Sequence, residues 1–169
     1  MTWSVNVRAG GEFWHKTTLF VFQSKGGSVK AVKNEKQAVK SLNEALAWEL
    51  RAALMYAHYA AYLTGRDRLD FEDYFVKESE ESMGHAKVVR QIIADLDGKA
   101  VSMPDPASIP DTRDVRKMLT EALKTEEMAE QKYREVLSLF EHQTAWHHDL
   151  RHIMMDEETA QIELKRLME

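Results

Sequence analysis

The stretch Glu49-Leu-Arg-Ala-Ala-Leu-Met-Tyr56 decides how this chain is read. It sits in a stripe of Leu42, Leu46 (or Ala45), Glu49, Ala52/Ala53, Tyr56, Ala60 and Leu63. Steps of three and four residues mark one face of a helix. Glu49 therefore falls where an apolar side chain is expected. A second stretch, Glu126-Glu-Met-Ala-Glu-Gln-Lys-Tyr133, repeats the arrangement, with an acid in the stripe and a tyrosine seven residues on. A carboxylate inside a core is costly unless it is paired or holds a metal.

Working outward, Gly65 is expected to end the first helix, and a second to start near Asp70. The second stripe runs through Phe75, Glu78/Ser79, Ser82, His85/Ala86, Val89, Ile92/Ile93 and Leu96, with Gly98 closing it. Lys99 to Pro110 holds all three prolines and reads as a crossover along the length of a bundle. The third stripe is Val115, Met118/Leu119, Ala122/Leu123, Glu126, Ala129, Tyr133, Leu137 and Phe140. The fourth is Leu150, Ile153/Met154, Glu157, Ala160/Gln161, Leu164 and Leu167. The expected fold is all-α: an antiparallel four-helix bundle over residues 36–169, with a long crossover between helices 2 and 3. Residues 1–35 differ. Trp3, Phe13 and Trp14, two Gly-Gly pairs and the β-prone Thr17-Thr-Leu-Phe-Val-Phe22 suggest a non-helical arm or short strand.

Composition bounds the chemistry. With 169 residues the chain can build one domain with a real core. A net charge of −5 argues against nucleic acid as a partner. The chain has no cysteine, which excludes disulfides, thiolate metal sites and thiol catalysis. A metal would have to be held by carboxylates and imidazoles. No apolar run approaches a membrane span, and the N-terminus lacks a secretory pattern, so a cytoplasmic location is expected.

Glu49, Glu126 and Glu157 interrupt three stripes, whereas Glu35, Glu44, Glu121 and Glu135 lie off them as ordinary surface charges. Glu81 lies four residues before His85, and Glu157 four before Gln161. Residues four apart share a helix face, so each pair can serve one cation. Iron or manganese suits such oxygen-rich sites. Tyr56 and Tyr133 are core aromatics by position, able also to hydrogen-bond a ligand carboxylate or donate an electron, and Tyr56 is the catalytic candidate. His142, His147, His148 and His152 cluster between the third and fourth helices and read as a solvated helix start.

From Leu42 to Leu167 the chain resembles the ferritin-like superfamily, and bacterioferritins most. Leu42-Asn-Glu-Ala-Leu-Ala-Trp-Glu49-Leu is similar to the first-helix signature and Glu78-Ser-Glu-Glu-Ser82-Met-Gly-His85-Ala to the second. Leu123-Lys-Thr-Glu126 and Asp156-Glu-Glu-Thr-Ala-Gln161-Ile-Glu are similar to the third and fourth. The resemblance implies a di-iron ferroxidase centre and partners Fe(II) with dioxygen or peroxide. It also implies a homo-oligomer, at least a dimer. Glu49 and His85 would hold one ion and Glu126 the other, with Glu157 bridging and Glu81 and Gln161 in support. Met83 falls at the haem-ligating methionine, so the resemblance allows haem there, though a methionine on a helix is more often packing or interface filler. The chain departs from the pattern twice. Ser82 stands at the bridging glutamate, and the fourth-helix histidine falls on Ala160 or Gln161, depending on a one-residue shift.

Overall fold

Three of the four helices begin at a side chain that accepts from the first free backbone amides. Asn34 takes the Gln37 amide, Asp114 those of Arg116 and Lys117, and Thr144 that of His147. Such a cap is worth about 0.5–2 kcal/mol. The computed structural model describes residues 32–169. It comprises α1 (Glu35–Tyr62), α2 (Gly65–Asp95), α3 (Val115–Leu137) and α4 (Ala145–Leu167). The expected all-α four-helix bundle is the observed fold. The expected arm falls almost wholly on residues outside the described ones. Among the described residues, Val32 is buried and forms an isolated antiparallel bridge with Phe140. Phe140 is buried as its stripe requires, but it lies beyond the end of α3.

The first turn differs from the sequence reading. Gly65 does not terminate α1; it opens α2, five residues ahead of Asp70, with φ of +61°. Only Leu63 and Thr64 separate the helices, so the reversal is tight and its left-handed backbone falls on glycine, which bears it without strain. Gly98 is needed for space. A Cβ there would come within 2.8 Å of both Val39 γ-carbons, because the chain leaves α2 hard against α1.

The crossover, Leu96 to Asp114, runs along α1 as the prolines suggested. Asn43 bonds the backbone of Lys99 and Val101, the Ala47 carbonyl accepts from the Asp105 amide, and Arg51 reaches the carbonyls of Ala107 and Ser108. Arg51 also binds Thr125 and Glu121 of α3, each at 2.6 Å, and is fully buried. One guanidinium thus ties three segments together in a geometry that lysine cannot match.

The core is split in two. Leu42, Leu46, Val89, Ile93, Val136 and Leu150 belong to one apolar cluster, and Met55, Tyr59, Phe75, Met118, Leu119 and Leu164 to the other. Between them lies a layer of polar side chains contributed by all four helices.

Candidate metal centre

Each helix brings an acid or an imidazole into this layer. Glu49 comes from α1, Glu78 and His85 from α2, Glu126 from α3 and Glu157 from α4. All four glutamates are buried, at 1 %, 6 %, 3 % and 3 % exposure respectively. The ladder is reciprocal. The Tyr56 hydroxyl of α1 donates to Glu126 Oε1 of α3 at 2.5 Å, and the Tyr133 hydroxyl of α3 donates to Glu49 Oε1 of α1, also at 2.5 Å. Each tyrosine therefore serves the acid of the other helix, which requires α1 and α3 to run antiparallel. Buried partners of this kind orient ligand carboxylates and fix their basicity.

His85 is the hub. Its Nδ1 lies 3.0 Å from Glu157 Oε1 and 3.6 Å from Glu49 Oε2, while Nε2 faces Asp156 at 3.5 Å. Ligand atoms of Glu49, His85 and Glu157 all lie within 4.8 Å of one another, and so do those of Glu81, His85 and Asp156 at the rim. A cavity of about 10 Å³ is lined by the rim set and Glu157, and bordered also by Glu78, Ser82, Glu126 and Ala160. That volume suits one water or one ion.

Burial pushes the Glu49 carboxyl above its ordinary range, despite the His85 and Tyr133 hydrogen bonds that oppose it. Burial and then the facing Glu157 raise Glu126 well above that range. Burial and Glu49 bring Glu157 to about 7, and burial and Glu126 bring Glu78 to about 7. Burial alone would lower His85, but its hydrogen bonds to the Glu157 and Glu49 carboxylates push it up to about 11. The cause is common: four acids share a dry layer with one imidazole. Two like charges ~4 Å apart repel by about 4 kcal/mol at an effective dielectric of 20. Protons relieve this in part, and a multivalent cation relieves it more fully. The donors are carboxylate oxygens and one imidazole nitrogen, the set preferred by hard, redox-capable ions. Donor type, charge deficit, cavity size and tyrosine support all fit a metal.

The sequence candidates occupy different places. Glu49, His85, Glu126 and Glu157 meet in the layer. Glu81 is half-exposed at the rim, with its side chain 3.9 Å from Lys77 Nζ. Gln161 is buried, but its amide donates to Glu130 at 2.9 Å. Ser82 donates back to the Glu78 carbonyl at 2.9 Å. Met83 lies on the outer face of α2, 46 % exposed, bordering a shallow groove with Lys87 and Arg90. Two residues drew too little weight from the sequence. Glu78 was a stripe member, seven residues before His85, and that position was its signal. Asp156 pairs with His85 across helices, which spacing alone does not reveal.

The model of the ferritin-like domain matches residues 39–169. This chain belongs to the ferritin-like family. Among solved structures, it is similar to a ferritin-like, diiron-carboxylate protein from Bacillus anthracis str. Ames, with 29 % identity and a TM-score of 0.73 over 80 % of this chain and 97 % of that one. A dodecameric thioferritin, the bacterioferritin-related protein from Bacteroides fragilis, shares the fold at 24 % identity and a TM-score of 0.71, over 79 % and 84 % of the two chains. No curated protein sequence matches the chain. Its ferritin-like bundle thus carries a Glu/His cluster suited to metal, and a relative of known structure is a diiron-carboxylate protein. Among the described residues no helix is long and apolar enough to cross a membrane.

Proposed function

We propose that this protein binds two iron ions in its acid layer and oxidises Fe(II) with dioxygen or peroxide, for iron detoxification or storage. The observation that carries this reading is the buried triad of Glu49, His85 and Glu157, with ligand atoms within 4.8 Å of one another. Glu49 and His85 would hold one ion, Glu126 the other, and Glu157 would lie between them. Bound iron supplies one-electron redox chemistry at this point. The protein's own part is to exclude water, to orient Glu49 and Glu126 through Tyr133 and Tyr56, and to take up the protons that metal binding displaces. Tyr56, bonded to Glu126, is the tyrosine proposed to pass an electron. Manganese shares the donor preference and is the alternative occupant.

An assembly of at least two copies fits this reading. Leu69, Val76 and Met83 recur every seven residues along α2 and are 86 %, 43 % and 46 % exposed. A haem held by Met83 would belong to that face, remote in kind from the acids.

A second reading rests on Ser82 and Gln161, whose polar groups bond within the protein. In it the acid layer stays protonated and the bundle acts as a structural or protein-binding module. Anaerobic loading followed by oxygen separates the two. About two iron equivalents per chain, with ferrous oxidation that falls steeply in Glu49→Ala and Glu126→Ala, supports the proposal. No metal uptake, or normal oxidation in both variants, refutes it.

A further inference from the structure

We infer that Glu78 supplies a carboxylate ligand to the second metal position, on the Glu126 side of the layer; this rests on the metal-binding reading above. The first position has a compact donor set in Glu49, His85 and Glu157. The Glu126 side is poorer. Ser82 lends its hydroxyl to the Glu78 carbonyl at 2.9 Å, and Ala160 offers no donor. These two small side chains leave the cavity of about 10 Å³ that Glu78, Glu126 and Glu157 border.

Glu78 lies on the same face of α2 as Ser82, one turn earlier. Its side chain is 8 % exposed and makes no hydrogen bond among the described residues. Its nearest cation, Lys77 Nζ, stands 3.8 Å away on a side chain that is 69 % exposed. A nearly buried carboxylate without a protein donor is left to bind water or a cation. An ion held jointly with Glu126 and Glu157 would satisfy it, and the cavity is too small for an organic ligand. Glu81 borders the same cavity and lies 3.9 Å from the same Lys77 Nζ, but it is not buried. Its side chain is 38 % exposed, and it groups with His85 and Asp156 at the rim. A displaced acid one turn away from Ser82 thus takes over the donor role that Ser82 lacks.

Cobalt(II) is the probe, titrated anaerobically into the metal-free protein and followed by calorimetry and by its visible spectrum. Wild type should bind two equivalents. Glu78→Gln, which keeps shape and removes charge, should retain the first and weaken the second by roughly 100-fold. Glu80→Gln, at an exposed acid of the same helix that belongs to neither set, should bind two. The double variant Glu78→Gln/Ser82→Glu, with its carboxylate moved one turn, should regain the second equivalent, a result that general loss of stability would not produce. If Glu78→Gln binds both ions as wild type does, the inference fails while the metal-binding reading stands. If wild type binds no cobalt(II), both fail. Circular dichroism of each variant verifies the fold, and Glu78→Asp serves as the milder substitution, with a smaller loss at the second site only.

Discussion

Replacing Glu126 with glutamine should separate what the acid layer does for metal from what it does for folding. Glu126 is 3 % exposed, accepts the Tyr56 hydroxyl at 2.5 Å and faces Glu157. Glutamine keeps the shape and both bonds: its carbonyl accepts from Tyr56 and its amide donates to Glu157. What it cannot do is ionise. Burial, then Glu157, raises Glu126 well above its ordinary 4.5, so the folded metal-free protein keeps a proton that the unfolded chain releases. A folded state that binds more protons loses stability as pH rises, by about 1.4 kcal/mol per pH unit for one retained proton. From about pH 5.5 to 8.5 this is at most ~4 kcal/mol. Glu126→Gln lacks that proton. Without metal it should match wild type best at acidic pH and gain on it as pH rises, by up to about 1.4 kcal/mol per unit. Its uptake of cobalt(II) should meanwhile fall at the second equivalent, because an amide is a poor ligand for a hard cation. Urea unfolding with a chelator at three pH values, beside a metal titration, reads both effects. A variant less stable than wild type at the high pH, or one that still binds two ions tightly, would overturn the account of the layer as a charge deficit awaiting a cation.

Metal affinity should rise between about pH 6 and pH 8, since binding must displace the protons held on Glu126 and on Glu157, the latter titrating near 7. Calorimetry in buffers of different ionisation enthalpy counts the protons released, and a pH-independent affinity would contradict the assignment. Tyr133→Phe removes the donor to Glu49, and should weaken metal binding by roughly 10–100-fold while costing about 1–2 kcal/mol of stability. Equal affinity in the variant would assign Tyr133 to packing alone. Arg51→Met leaves Glu121 and two crossover carbonyls without their guanidinium, and should cost about 3–5 kcal/mol in urea unfolding. A loss below ~1 kcal/mol would mean that the crossover holds its place without the clamp.

Much of this was legible from periodicity. A charge in an apolar stripe is a strong signal, and Glu49, Glu126 and Glu157 are buried where their stripes put them. The prolines between Lys99 and Pro110 announced an extended crossover, and it runs along α1. Less legible was anything that depends on two helices at once. The seven-residue step from each glutamate to each tyrosine was visible, but not that the bonds cross from α1 to α3 and back. Gln161 illustrates the same limit: its position on α4 was right for the interior, yet its amide turns to Glu130, a partner set by side-chain packing. Gly65 was misread because a glycine that ends one helix and a glycine that starts the next look alike when the turn between them is two residues long.

The crossed tyrosine bonds have a consequence for how the bundle assembles. Coiled helices with plain apolar seams can slide past one another by a heptad and still bury grease against grease. Here such a slip would strand Tyr56 and Tyr133 away from their carboxylates together, because the two bolts sit on the same pair of rods at mirrored heights. Alignment is thus written into the polar layer itself, leaving the oily halves above and below free to vary in detail without losing their place.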